Sequence, residues 1–135
     1  MKKFRLYTDG AARGNPGPAG AGWAVLDPEG NCVLEGKKYL GETTNNQAEY
    51  QALVLALKEA LKLGRKGLEV FADSELMIRQ LKGEYKVKNE GLKPLHTEAL
   101  LTLKQFQTYA LHHVPREKNK TADRLANEAI DESLI

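Results

Sequence analysis

The sequence predicts an α/β protein with a mixed sheet and helices on its faces. Three observations predict it. The first forty residues read as strands, with residues alternating across Lys3–Asp9 and a hairpin signal at Asp27-Pro28-Glu29-Gly30. The period then changes, and apolar residues recur at helical spacing from Asn45 to Leu63. Beyond that point short strands alternate with helical stretches. The order is βββ-α-β-α-α-β-α, and the last two strands, each reached through helices, are expected to run parallel to the first.

The first strand sets Phe4, Leu6 and Thr8 against Arg5, Tyr7 and Asp9. A Gly/Pro-rich turn is expected from Gly10 to Gly20, followed by strands near Gly22–Leu26 and Asn31–Leu40. In the first helix Ala48, Ala52, Leu53, Ala56, Leu57 and Ala60 form the apolar stripe; Thr44 with Gln47 fits a capping box, and Gly64 fits the stop. Leu68–Asp73 reads as a short strand, and Ser74 starts a second helix reaching about Leu81. Leu92–Gln107 reads as a third helix with Pro94 in its first turn, Tyr109–Val114 as the last strand and Thr121–Glu132 as the last helix.

No repeat or linker divides the 135 residues, so residues 1–135 are expected to form a single domain. A chain of this length buries roughly two-thirds of its unfolded surface without needing staples. The net charge of +2 and isoelectric point near 8.6 are too mildly basic to name a partner. One cysteine, Cys32, excludes an internal disulfide and any zinc site built on paired cysteines. No apolar run is long enough for a membrane span, and the N-terminal apolar stretch is too short for a signal peptide. A cytoplasmic monomer with no membrane attachment is expected.

Four acids stand in unusual places. Asp9 and Asp73 each end a predicted strand; if those strands are parallel neighbours, both carboxylates emerge at the carboxyl edge of the sheet, where open α/β sheets place their ligands. Glu49 shares a helix face with Leu53, Ala56 and Ala60, and Asp123 shares one with Ala126 and Ile130, so both carboxylates point toward a core. Ionised acids aimed at a core are costly unless paired or bound to metal. Each acid also has a structural reading: turn former or N-cap for Asp9 and Asp73, helix-dipole partner for Glu49 and Asp123. Position alone leaves both readings open. If the acids hold metal, hard oxygen ligands suit Mg²⁺ or Mn²⁺, and acid clusters holding two such ions cut phosphodiesters.

Four motifs close the choice. Tyr7-Thr8-Asp9-Gly10-Ala11 with Gly14-Asn15-Pro16-Gly17-Pro18-Ala19-Gly20, then Thr43-Thr44-Asn45-Asn46-Gln47-Ala48-Glu49-Tyr50, then Asp73-Ser74, then Asn119-Lys120-Thr121-Ala122-Asp123-Arg124-Leu125-Ala126 follow one another along the chain. In type and order they resemble type 1 ribonuclease H, over nearly the whole chain. The resemblance implies the ribonuclease H-like fold, a five-stranded mixed sheet with three antiparallel strands first. It implies a catalytic and metal-binding set falling on Asp9, Glu49, Asp73 and Asp123. It further implies hydrolysis of the RNA strand of an RNA/DNA hybrid by two Mg²⁺ ions, with Mn²⁺ as a substitute, leaving 3′-hydroxyl and 5′-phosphate ends. Substrate contacts carry over to Asn15, Asn45, Asn46 and Gln47 at the hybrid's minor groove, and to Thr44 and Ser74 at phosphate or sugar.

The chain departs from many family members in two places. The stretch Leu81–Glu90 is short and only mildly basic where many bacterial members carry a basic, Trp-rich insertion, so the chain looks like a compact form without that protrusion. Neither His112 nor His113 is in register with the family's mobile-loop histidine; Arg116 sits nearer that position, where it can hold phosphate but cannot act as a general base. The alternatives are a DNA-cutting nuclease on the same fold and a non-catalytic nucleic-acid-binding module.

Overall fold

A computed structural model describes residues 3–64 and 66–135. Alternation along the strands decides which side chains face which layer. On β1 (Phe4–Ala12), Leu6 is fully buried on one face while Tyr7 and Asp9 point to the other; on β2 (Gly17–Leu26), Ala21, Trp23 and Val25 share the face of Leu6. The sheet is completed by β3 (Cys32–Thr43), β4 (Gly67–Ala72) and β5 (Thr108–His113), in the spatial order β3-β2-β1-β4-β5. The first three strands are antiparallel, and β4 and β5 run parallel to β1, as expected from their helical connections.

One face carries the main core. Helix α1 (Asn45–Leu61) buries Leu53, Ala56, Leu57 and Ala60 there, joined by Met77 and Ile78 of α2 (Glu75–Leu81) and by Ala99 and Leu103 of α3 (Lys93–Leu103). The opposite face is covered over β1 to β3 by α4 (Lys120–Ser133), which buries Ala122, Leu125, Ala126, Ala129 and Ile130. A single 3₁₀ turn, Arg116–Lys118, leads into α4.

The expected turn from Gly10 to Gly20 is largely strand. Strand β1 continues past Asp9 to Ala12, β2 begins at Gly17, and Asp9 pairs with Gly22 rather than ending its strand. Only the residues between Ala12 and Gly17 turn. Gly14 serves that turn with φ +111°, but Gly10 and Gly20, inside the strands, serve packing: a Cβ on Gly10 would lie 2.2 Å from the Ala48 carbonyl carbon of α1, and one on Gly20 would lie 2.2 Å from the Ala126 oxygen of α4. The signal at Gly10 and Gly20 thus marks two helix–sheet approaches, not a loop.

Smaller differences have local causes. Helix α3 ends at Leu103, short of Gln107, because Gln105 and Phe106 bond back into a turn that carries Phe106 into the core. Thr44 caps α1 by accepting from the Gln47 N–H, but the reciprocal half of the capping box is absent: the Gln47 side-chain oxygen is taken by Thr43 Oγ1.

Gly22 tests this packing most simply. A Cβ there would sit 2.3 Å from Ala122 O and 2.5 Å from Ala126 N, backbone atoms that cannot step aside. Gly22→Ala is expected to destabilise by about 1–3 kcal/mol as α4 is forced off β2, read as a lower urea midpoint.

Candidate active site

The site forms where β4 leaves β1. Their pairing stops at Thr8 and Ala72, so past that point β1 has no neighbour on that side. The Gly10 N–H turns instead to Glu49 Oε1 at 2.8 Å, drawing a glutamate from the second turn of α1 to the sheet edge. Asp73 follows β4 directly, one residue beyond Ala72. Asp9, Glu49 and Asp73 each bring a carboxylate oxygen within 4.8 Å of the others. Asp123, in the first turn of α4, lines the same cleft from the opposite face, near enough to help raise Asp9. Three of the four sequence-predicted acids therefore cluster, and Asp123 joins them on the cleft lining, acting on Asp9.

They line a cleft of about 440 Å³ together with Asn45, Asn46, Ser74, Arg116 and Asn127. Asp9 is only 5% exposed, and none of the four acids makes a salt bridge among the described residues. Burial, reinforced by Glu49 and Asp73, pushes the Asp9 carboxyl up to about 9. Burial likewise pushes Glu49 up to about 8, against the opposing pull of the Gly10 N–H. Arg116 lines the same cleft and pulls Glu49 down, yet both carboxyls stay raised. A tight set of oxygen donors that resists ionisation fits a small hard divalent ion, whose charge would remove the repulsion.

The other expected contact residues divide. Asn46, Ser74 and Arg116 line the cleft, and Asn45 lines it while its Oδ1 accepts from Ala12 N at 3.0 Å. Asn15 lies at the rim, in the β1–β2 turn, where its Oδ1 accepts from Asn45 N at 3.1 Å. Thr44 and Ser74 cap α1 and α2, each hydroxyl oxygen accepting a helix N–H. Gln47 is turned toward Thr43 and Gly91, outside the cleft lining. His112 stacks on Phe71 with ring centroids 4.8 Å apart and meets Glu69 at 3.2 Å, and neither it nor His113 lines the cleft.

Two asparagines assigned no role from the sequence hold the acids. Asn119, 1% exposed, donates through Nδ2 to Thr8 O at 2.9 Å and to Asp73 Oδ2 at 3.2 Å. Asn127 donates through Nδ2 to Asp123 O at 3.0 Å and to Asp123 Oδ1 at 3.4 Å. The signal was present: Asn119, Asp123 and Asn127 are spaced i, i+4, i+8, a polar row beside the apolar stripe of α4.

The fold and this acid cluster define a ribonuclease H-like α/β protein. Residues 7–129 match the family model described as reverse transcriptase-like. Ribonuclease HI of Halobacterium salinarum is 43% identical over 131 residues, which span 97% of this chain and 66% of that protein. A crystal structure of ribonuclease H1 from that archaeon aligns with a TM-score of 0.94 at 42% identity, covering 96% of this chain and 98% of that one. A bifunctional protein of Mycobacterium tuberculosis is 43% identical over 130 residues, 96% of this chain and 36% of that protein. LC11 ribonuclease H1, isolated from compost by a metagenomic approach and solved in complex with an RNA/DNA hybrid, aligns with a TM-score of 0.94 at 46% identity over 98% of this chain and all of that one. The chain belongs to the ribonuclease H family, and within it resembles the type 1 enzymes. It spans about two-thirds of the Halobacterium relative and about a third of the mycobacterial one.

The raised carboxyls set a pH dependence. Unfolded, both acids titrate near 4; folded, they hold protons to above neutrality. Between about pH 4 and pH 8–9 the folded state binds more protons than the unfolded one, so without divalent metal stability falls as pH rises through that window. Asp9→Asn is expected to melt higher than the parent at pH 8 without metal, by roughly 3–8 °C, and by much less at pH 5. A lower melting temperature at pH 8 would contradict the repulsion.

Proposed function

We propose that this chain is an endonuclease that hydrolyses the RNA strand of RNA/DNA hybrids, leaving 3′-hydroxyl and 5′-phosphate ends. The observation that carries the proposal is the cluster of largely buried carboxylates, none of them in a salt bridge among the described residues, at the foot of a cleft rimmed by amide side chains. Membership of the ribonuclease H family supports it, as does the hybrid bound to LC11 ribonuclease H1. Residues 1–135 act in this reading as one catalytic domain, a monomer working in the cytoplasm. No helix among the described residues is long and apolar enough to cross a membrane.

In this reading Asp9, Glu49, Asp73 and Asp123 hold two Mg²⁺ ions, with Mn²⁺ able to replace them. Such ions would supply a more acidic bound water and charge stabilisation for the leaving oxygen. Asp9, which the other acids act on, would be among the residues that hold the ions. Glu49, tethered to Gly10, orients the 2′-hydroxyl or the attacking water. Asn15, Asn45 and Asn46 face the minor groove, where side-chain amides both donate to and accept from 2′-hydroxyls; Gln47, turned toward Thr43 and Gly91, stands outside that set. Thr44 and Ser74 accept helix N–H groups with their oxygens, which leaves each hydroxyl proton to donate to phosphate or sugar. Arg116 supplies positive charge to a phosphate and no base.

The test is cleavage of a labelled RNA/DNA hybrid with Mg²⁺, beside duplex DNA, duplex RNA and single-stranded RNA. Metal-dependent cutting confined to the hybrid's RNA strand and abolished by Asp73→Asn is expected. Cutting of duplex DNA would favour a DNA nuclease on this fold, and binding without cutting would favour a binding module. Cleavage should also weaken as salt rises from about 50 to 200 mM, because phosphate contacts displace counterions.

A further inference from the structure

The β1–β2 turn reaches one acid through a side chain that does not line the cleft. Arg13 lies between Ala12, the last residue of β1, and the turn that carries Asn15. Its Nη1 meets Asp131 Oδ1 at 2.7 Å, and its Nη2 donates to Asn127 Oδ1 at 3.3 Å and Asn127 O at 3.4 Å. Asn127 and Asp131 are four residues apart on α4, so the guanidinium lies along one face of that helix. The other end of the Asn127 amide donates to Asp123.

An asparagine amide has one accepting and two donating positions, and the two ends exchange on a half-turn. A guanidinium only donates, so Arg13 demands the amide oxygen; the Asp123 backbone carbonyl only accepts, so it demands the NH₂. The NH₂ end is held by the Asp123 backbone oxygen at 3.0 Å and reaches the Asp123 carboxyl at 3.4 Å; both contacts leave the oxygen end free for a donor. Arg13 supplies the second anchor. From the structure we infer that Arg13 is a positioning residue: by holding Asn127 Oδ1 it keeps the amide donating to Asp123, and so ties the turn carrying Asn15 to the placement of the fourth acid. The same turn is stapled to α1 through Asn15 and Asn45, so it spans both sides of the acid cluster.

This inference rests on the proposed hybrid cleavage, and its test separates the two. Arg13→Ala, Arg13→Lys, Asn127→Ala and the Arg13→Ala/Asn127→Ala double variant are compared with the parent. Because Arg13 and Asp131 are 41% and 63% exposed, the Arg13 variants should melt close to the parent. The expected kinetics are a fall in kcat of roughly 10- to 100-fold with KM for the hybrid nearly unchanged. Lysine should rescue poorly, since an ammonium cannot span Asn127 and Asp131 as the guanidinium fork does. The double variant should be no slower than Asn127→Ala, because Arg13 acts through Asn127. Independently of activity, the Asn127 side-chain NH₂ signal in a ¹H–¹⁵N spectrum of the metal-free protein should move in both Arg13 variants.

A raised KM at unchanged kcat would make Arg13 a substrate contact and overturn the inference. So would additive losses in the double variant, or an unmoved Asn127 signal. A parent chain that fails to cut while the Asn127 signal moves would fault the proposed activity and leave the positioning geometry standing.

Discussion

Three carboxylates within 4.8 Å of one another, one of them almost wholly buried, must be held together against both desolvation and mutual repulsion. Much of the local architecture can be traced to that requirement. No single element could hold the cluster. Asp9 comes from β1, Asp73 from the end of β4, Glu49 from α1 on one face and Asp123 from α4 on the other. The opposing forces are therefore carried by the packing of two helices against a sheet, with hydrogen bonds added where a carboxylate leaves its element. The Gly10 N–H restrains Glu49, Asn119 restrains Asp73, and Asn127 restrains Asp123.

Close approach makes this arrangement reachable. A carboxylate on a helix reaches one on a strand only if the two backbones nearly touch, and Gly10, Gly20 and Gly22 supply that contact on both faces. The sheet layout contributes as much. Because β4 departs from β1 after Ala72, a backbone donor and a crevice open at the carboxyl edge, between strands whose chain order is reversed around β1. The glycine-rich segment and the acid cluster thus belong to one design: small residues bring the helices in, and the acids occupy the seam that results.

The order of elements was legible because alternation and helical spacing are local signals, and each element buries one well-marked stripe. The four acids were legible for a related reason: Glu49 and Asp123 break apolar stripes that Leu53 and Ala126 continue. The β1–β2 hairpin was misread because glycine is ambiguous along a chain. At Gly20 it meets the Ala126 oxygen of a helix more than a hundred residues away, and no local pattern distinguishes that from a turn. Asn119, Asn127 and Arg13 escaped for the same kind of reason. Polar residues near a helix face read as solvent-exposed until the fold shows Asn119 buried against Thr8 and Asp73.

The central claim is that the fold forces protons onto this cluster and that a divalent cation takes their place. Proton release on metal binding measures it directly. Mg²⁺ is titrated into weakly buffered protein at pH 7.5 while the released acid is counted, for the parent and for Asp9→Asn. Release of roughly one to two protons is expected in the parent, and about one fewer in Asp9→Asn. Metal binding with no proton release from the parent would mean that the acids are already ionised side by side, and would contradict the account.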